Sequence, residues 1–80
     1  MRTMISDYGT KIKVVSHIIL KNGWEYYVTD KKFNKDTIQC LVMGFETELG
    51  DVYLPEVIPY AVSRTADLSE VMPAEGWKWE

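Results

Sequence analysis

Cys40 and His17 are the side chains best suited to bind a transition metal or to form a nucleophile and base in this chain of 80 residues. Neither belongs to a paired C-x-x-C or H-x-x-x-H spacing, so a structural zinc site would lack ligands. A cysteine nucleophile needs a neighbouring base and an accessible, electropositive setting. Cys40 instead begins the most apolar segment of the chain, and we expect it to be a buried core residue.

Carboxylates are the other candidates for catalysis, since a pair of them can perform acid–base work. Four lie around a predicted turn and strand end, where solvated charge is the ordinary outcome: Glu46, Glu48, Asp51 and Glu56. The chain contains no phosphate-binding loop, dinucleotide-binding loop or nucleophile elbow. The sequence therefore predicts no catalytic residue, no metal and no cofactor, and a protein that is not an enzyme.

Composition indicates one globular domain over residues 1–80. Hydrophobic residues make up 46% of the chain and aromatic residues 12%, which is too apolar for a disordered protein. The longest apolar run, Cys40 to Phe45, is far shorter than the roughly 20 residues that span a bilayer. The start of the chain lacks the features of a secretory signal, and a single cysteine suits a reducing compartment. We expect a cytoplasmic domain without a membrane segment.

The elements that would position these residues are mainly strands. Lys11 to Leu20 and Trp24 to Thr29 are rich in β-branched and aromatic residues. Asn22-Gly23 between them favours a two-residue type I′ hairpin turn. Such a turn would pair Ile19 with Tyr26 and His17 with Val28, and would leave both faces of the hairpin apolar. The hairpin therefore requires cover on each side.

The remaining segments extend this hairpin into a meander. Strands are predicted at Thr37 to Glu46 and at Asp51 to Leu54, Pro55 favours a helical turn, and the D-x-x-E pattern from Asp67 predicts a short helix over 67–72. The tail alternates like a strand, with Trp77 and Trp79 on one side. The predicted fold class is α+β, a small antiparallel meander of four or five strands with one or two short helices. The alternative is a small SH3-like β-barrel that the last strand closes.

Aromatic residues are the candidates for binding another protein. Chain ends fray unless they are tied down, so two tryptophans in the last four residues either dock on the sheet or anchor a partner. Trp and Tyr dominate interface hot spots. The predicted protein-binding residues are Trp77, Trp79, Tyr53 and Tyr60. Self-association as a homodimer, through one apolar face of the sheet, is an alternative.

The charge distribution suggests two further alternatives. Net charge is −3, but residues 1–45 carry +3 and residues 46–80 carry −6. In the basic half, lysines surround an aromatic residue, which is the combination that holds single-stranded nucleic acid: Lys31, Lys32, Lys35, Lys11 and Lys13 around Phe33. The overall acidic charge weakens attraction to phosphate, and the competing interpretation is a solvated loop with Phe33 tucked against the sheet. In the acidic half, an inhibitor that imitates DNA would use Glu46, Glu48, Asp51, Glu56, Asp67, Glu70 and Glu75.

A pattern of short motifs runs from Trp24 to Val57. Trp24, Tyr26 and Thr29 are followed by Gly44-Phe45-Glu46, Glu48-Leu49-Gly50 and Leu54-Pro55-Glu56-Val57. The pattern resembles a family of small uncharacterised proteins carried by plasmids and phages. The chain departs from that family in lacking its long leading segment and in ending on Gly-Trp-Lys-Trp. The resemblance implies a mobile-element or viral origin, and we expect a non-enzymatic protein-binding or accessory module that acts on a host protein.

Overall fold

The computed structural model of the chain describes residues 1–80 and contains one sheet of seven strands. The elements in chain order are β1 (Arg2–Ser6), β2 (Lys11–Leu20), β3 (Glu25–Lys32), β4 (Thr37–Met43), β5 (Thr47–Tyr53), α1 (Leu54–Val57), a 3₁₀ turn (Ile58–Tyr60), β6 (Ala61–Thr65) and β7 (Trp77–Trp79). All strand pairs are antiparallel. No helix has the length and apolar character needed to cross a membrane. The fold is a small, sheet-rich domain with one short α-helix.

Strand β2 is the centre of the topology. One of its edges pairs with β3, whereas the other pairs first with β1 and then with β6. A bulge between Val14 and Ser16 interrupts its pairing with β3, and a bulge bends a strand and increases its twist. The strand order is β5-β4-β3-β2-β1-β7, and the two end strands do not pair. The sheet is not a closed barrel, so the SH3-like alternative is wrong.

The sheet has more strands than the four or five predicted. The meander of β2 to β5 is confirmed, and the tail strand Trp77–Trp79 pairs back onto β1 as expected. Strands β1 and β6 were not predicted, because both are short and depend on β2 for pairing more than on a local alternation of apolar residues. The helix predicted over 67–72 is absent. Asp67 Oδ1 instead accepts a hydrogen bond from the Ser69 backbone N–H at 3.0 Å, which closes a turn without continuing into a helix.

The β2–β3 hairpin has a three-residue loop and not the predicted two-residue turn. The Gly23 N–H donates to the Leu20 carbonyl at 2.9 Å, the Leu20 N–H donates to the Trp24 carbonyl at 2.8 Å, and Gly23 has φ +89°. This is a type I turn followed by a left-handed glycine bulge. Ile19 consequently lies opposite Glu25 and not opposite Tyr26. The predicted register was wrong by one residue, and that error exchanges the faces of β3.

Both faces of the sheet are apolar, and the chain itself covers each one. On the first face, residues 66–76, here called the strap, contribute Leu68 and Ala74 to a cluster with Met4, Ile12, Val14, Tyr27 and Leu41. On the second face, Leu54, Val57 and Ala61 cover a cluster of Ile18, Leu20, Tyr26, Val28, Ile38 and Cys40. The expected cover on each side of the hairpin is therefore confirmed.

The strap has no regular secondary structure, and side chains of the sheet hold its backbone. The Tyr27 hydroxyl donates to the Met72 carbonyl at 2.8 Å, and Trp79 Nε1 donates to the Val71 carbonyl at 2.8 Å. The Arg2 guanidinium lies 4.5 Å above the Trp79 ring, a favourable cation–π distance. The two hydrogen bonds satisfy carbonyl groups that a sheet or helix would otherwise satisfy.

Trp79→Ala removes the indole from the first cluster together with its hydrogen bond to Val71. We expect the free energy of unfolding to fall by about 2–4 kcal/mol, as for large aromatic truncations next to a core. Trp79→Phe keeps a ring but loses the donor, and we expect a loss of about 1 kcal/mol. Urea unfolding followed by circular dichroism measures both variants. Wild-type stability in Trp79→Ala would contradict the packing role.

Candidate binding grooves beside the strap

Arg2 lines one open groove beside the strap, and two others have no lysine or arginine in their walls. The first of these two, called the His17 groove, has a volume of about 490 Å³ and lies between β2, β6 and strap residues 67–72. The second, called the β5 cleft, has a volume of about 320 Å³ and lies between β5, the β1–β2 turn and the end of the strap at Gly76. The charged side chains that line them are all carboxylates. Both grooves therefore favour positively charged ligands.

His17 lies in the wall of the first groove and is only 5% exposed. Its Nε2 is 2.8 Å from Glu25 Oε1, and its ring packs 4.7 Å from the Tyr27 ring. Because a carboxylate oxygen accepts, Nε2 donates to it, and in the tautomer with its hydrogen on Nε2 alone, Nδ1 is an acceptor. Nδ1 has no hydrogen-bond partner, yet no fully buried side-chain nitrogen is unsatisfied. Nδ1 therefore keeps some contact with solvent, and His17 is one of the residues that line the groove.

The pKa values of Tyr27, which packs on His17, and of Asp67, which lines the groove, are both shifted. Burial raises the pKa of Tyr27, and the charge of Glu25 raises it further, so its hydroxyl remains a hydrogen-bond donor to the strap. The side-chain and backbone hydrogen bonds from Ser69 lower the pKa of Asp67, so this carboxylate is ionised at neutral pH. The groove thus carries fixed negative charge and no strong nucleophile.

Strand β5 forms one wall of the second groove and one edge of the sheet. It pairs only with β4, and all of its residues except Val52 are exposed. Leu49 lines the cleft together with Thr47 and Trp77. The salt bridge formed by a lysine or arginine in this protein joins Lys11 to Glu80. The carboxylates of β5 are therefore unpaired.

The four predicted protein-binding aromatics lie in different surroundings. Trp77 and Trp79 are half-buried and pack against the first cluster, whereas Tyr53 and Tyr60 are exposed. Ring contacts join His17 to Tyr27, Trp24 to Phe45 and Tyr27 to Trp79, so neither tyrosine contacts an indole ring. Of the four residues, Trp77 lines the β5 cleft. The role of these residues in protein binding stays a prediction.

The predicted nucleic-acid-binding loop is fully accessible. Lys31, Lys32 and Lys35 are exposed, and Phe33 is 79% exposed, so it is not tucked against the sheet. Lys31 shares a shallow depression with Lys11, Lys13, Asp30 and Glu80, and the salt bridge from Lys11 to Glu80 measures 2.7 Å. The structure thus joins the loop to both lysines of β2, with two carboxylates among them.

The seven acidic residues of the DNA-mimic hypothesis lie in four places. They are Glu46, Glu48 and Asp51 on or next to β5, Glu56 on α1, Asp67 and Glu70 in the His17 groove, and Glu75 in the β5 cleft. The structure contains no group of three or more His, Cys, Asp or Glu side chains that could hold a metal ion.

The contact between His17 and Glu25 was missed in the sequence. The predicted register placed His17 opposite Val28, whereas it lies opposite Tyr27. That shift brings Glu25 onto the same face as His17. The signal was present in Lys21-Asn22-Gly23, which is compatible with a three-residue loop as well as with a two-residue turn.

Cys40 is fully buried, as expected, and lies on the face opposite the grooves. Burial raises its pKa to about 12, and the charge of Asp51 adds to the rise. The unfolded thiol loses its proton at lower pH than the folded one. The free energy of unfolding should therefore fall as pH rises above 9.0, the ordinary pKa of a cysteine thiol. Urea unfolding at pH values below and above 9.0 measures the loss of stability.

Cys40→Ala is the control for this pH dependence. It should remove the part of the slope that the thiol causes, leaving the part that Tyr27 and Tyr26 cause at pH values above their ordinary pKa of 10.0. Near neutral pH, a disulfide reagent should label Cys40 only in unfolded protein. Rapid labelling of the folded protein would contradict the burial.

The two grooves offer hydrogen-bond acceptors, negative charge and some apolar wall. Neither brings a nucleophile next to a base that could activate it. No family model, curated protein or solved structure matches the chain. The chemistry of the grooves is therefore inferred from their own side chains.

Proposed function

We propose that this protein is a non-enzymatic binding module that holds a basic, extended segment of a partner protein along β5. The observation that carries the proposal is the open outer edge of this strand. The backbone groups of residues 47–53 make no hydrogen bond outside the regular strands and helices, and β5 has no second strand neighbour. An exposed edge of this kind presents unpaired N–H and C=O groups to an incoming strand.

The β5 cleft supplies the side-chain part of the recognition. A segment added to β5 would place alternate residues toward Leu49 and Trp77, which line the cleft. The backbone bonds would give affinity that depends little on sequence, whereas the cleft would select the side chains that enter it. Trp77 thereby keeps a role in protein binding while it also packs against the core.

Charge favours a basic segment over a second copy of the chain. Glu48 and Asp51 lie on β5, and Asp7 and Glu75 line the opposite wall of the cleft. Two β5 strands that paired with each other would bring these like charges together, which is destabilising. A dimer through an apolar sheet face would also have to displace a covering segment. In line with the resemblance to plasmid- and phage-borne proteins, we propose a cytoplasmic protein of a host cell as the partner.

Titration with a peptide of alternating lysine and valine tests strand addition. Chemical shifts of the amides of Thr47–Tyr53 and of the Trp77 indole should change together in proton–nitrogen NMR spectra, and binding should weaken as salt screens the carboxylates. The double variant Glu48→Lys, Asp51→Lys should lose the interaction, whereas Glu56→Lys, on α1, should retain it. Equal binding by both variants, or no change along β5, would refute the proposal.

A second candidate function is the binding of single-stranded nucleic acid by the loop around Phe33. The exposure of this ring among Lys31, Lys32 and Lys35 is the observation that favours it, because bases stack on exposed aromatic rings between basic side chains. The lysines of β2 would extend the same surface.

Fluorescence anisotropy with a labelled oligothymidine tests this candidate. Binding should fall by at least tenfold between about 50 mM and about 200 mM salt, and Phe33→Ala should weaken it at every salt concentration because a stacking platform is lost. Tyr60→Ala, an exposed aromatic residue outside the loop, is the matched control. Absence of binding at the lower salt concentration would eliminate the candidate.

A further inference from the structure

We infer that the His17 groove is a binding site for an alkylammonium or alkylguanidinium group, with His17 Nδ1 as a hydrogen-bond acceptor. The site is separate from β5, so a result that refutes the proposed strand addition would not refute this inference, and the reverse also holds. The chemical group is that of a lysine or arginine side chain and also that of a free polyamine.

The first argument is the orientation of His17. Its side chain is almost completely buried, and the 2.8 Å contact with Glu25 together with the packing on Tyr27 fixes the ring. A fixed ring whose Nδ1 has no protein partner is a preorganised acceptor. Preorganisation increases affinity because little side-chain freedom is lost on binding. The complementary ligand group carries an N–H.

The second argument is charge. Glu25, Asp67 and Glu70 line the groove, and no lysine or arginine does. The acids do not converge into a cluster that could hold a metal ion. Positive charge that is distributed over several N–H donors fits this arrangement, because each donor reaches a different acceptor. The Ser63 hydroxyl, which also lines the groove, adds a further acceptor.

The third argument is the apolar part of the wall. Ile19 and Val71 line the groove, and Met72, also in the wall, is 78% exposed. A methylene stem could bury against these side chains, and methionine adapts readily to ligands of different shape. The groove volume of about 490 Å³ falls within the range of small-molecule sites. It accommodates an alkyl stem together with its charged head.

NMR titration of the His17 imidazole nitrogens with butylammonium and butylguanidinium tests the inference. Saturable binding should shift the Nδ1 resonance while the amides of β5 stay in place. Glu70→Gln, which removes one charge without changing side-chain size, should weaken binding about tenfold. Glu56→Gln, outside the groove, should leave it unchanged. Because Glu70 and Glu56 are both exposed, neither substitution endangers folding.

Two further ligands identify the source of the group. The site would be assigned to a protein side chain if lysine amide with a capped α-amino group binds at least as tightly as spermidine. Tighter binding of spermidine, with the same sensitivity to Glu70→Gln, would assign it to a free polyamine. No shift of the His17 nitrogens with any of the four cations, or equal affinities of the Glu70→Gln and Glu56→Gln variants, would overturn the inference.

Discussion

The hydrogen bond from the Tyr27 hydroxyl to the Met72 carbonyl is the contact on which the arrangement of this protein most depends. A sheet that is apolar on both faces needs two covers, and a chain of 80 residues has few residues left to build them. The strap covers one face without helical or strand hydrogen bonds. Its carbonyls must find other donors, and Tyr27 and Trp79 supply them from within the apolar cluster that the strap covers.

The same arrangement creates the surfaces available for function. A helix or an additional strand would cover more of the sheet, whereas an irregular strap leaves a groove beside β2 and β6 and a cleft beside β5. The strap also contributes carboxylates to both, Asp67 and Glu70 to the first and Glu75 to the second. The acidic half of the chain therefore supplies most of the charge at these sites, while the exposed lysines of the 31–35 loop lie elsewhere. The proposed preference for a basic partner follows from this separation.

The sequence predicted the parts of the fold that local patterns determine. The apolar strands β2 to β4, the helical turn at Pro55 and the burial of Cys40 each have a signal within a few residues. The hairpin register has no such local signal, because Asn22-Gly23 is compatible with two loop lengths. Only the pairing of the whole strands determines which loop forms. Since side chains alternate along a strand, a register shift of one residue determines whether Glu25 and Tyr27 share a face with His17. Sequence patterns therefore could not predict the His17 groove.

Segments whose structure depends on distant partners were also missed. β1 and β6 need β2, and the D-x-x-E pattern at Asp67 forms a turn because the following residues lie across the sheet. Helix-capping residues serve turns equally well. The strap therefore could not be recognised before the face that it covers was known.

Amide hydrogen exchange in Tyr27→Phe tests most directly the claim that side-chain hydrogen bonds hold the strap on the sheet. Tyr26→Phe is the matched control, since Tyr26 is equally close to the hairpin but lies on the opposite face. We predict that the strap amides of Ser69 and Val71 exchange faster in Tyr27→Phe than in wild type or in Tyr26→Phe, while the amides of β3 and β4 keep their protection. Unchanged exchange of the strap amides in Tyr27→Phe would contradict the account.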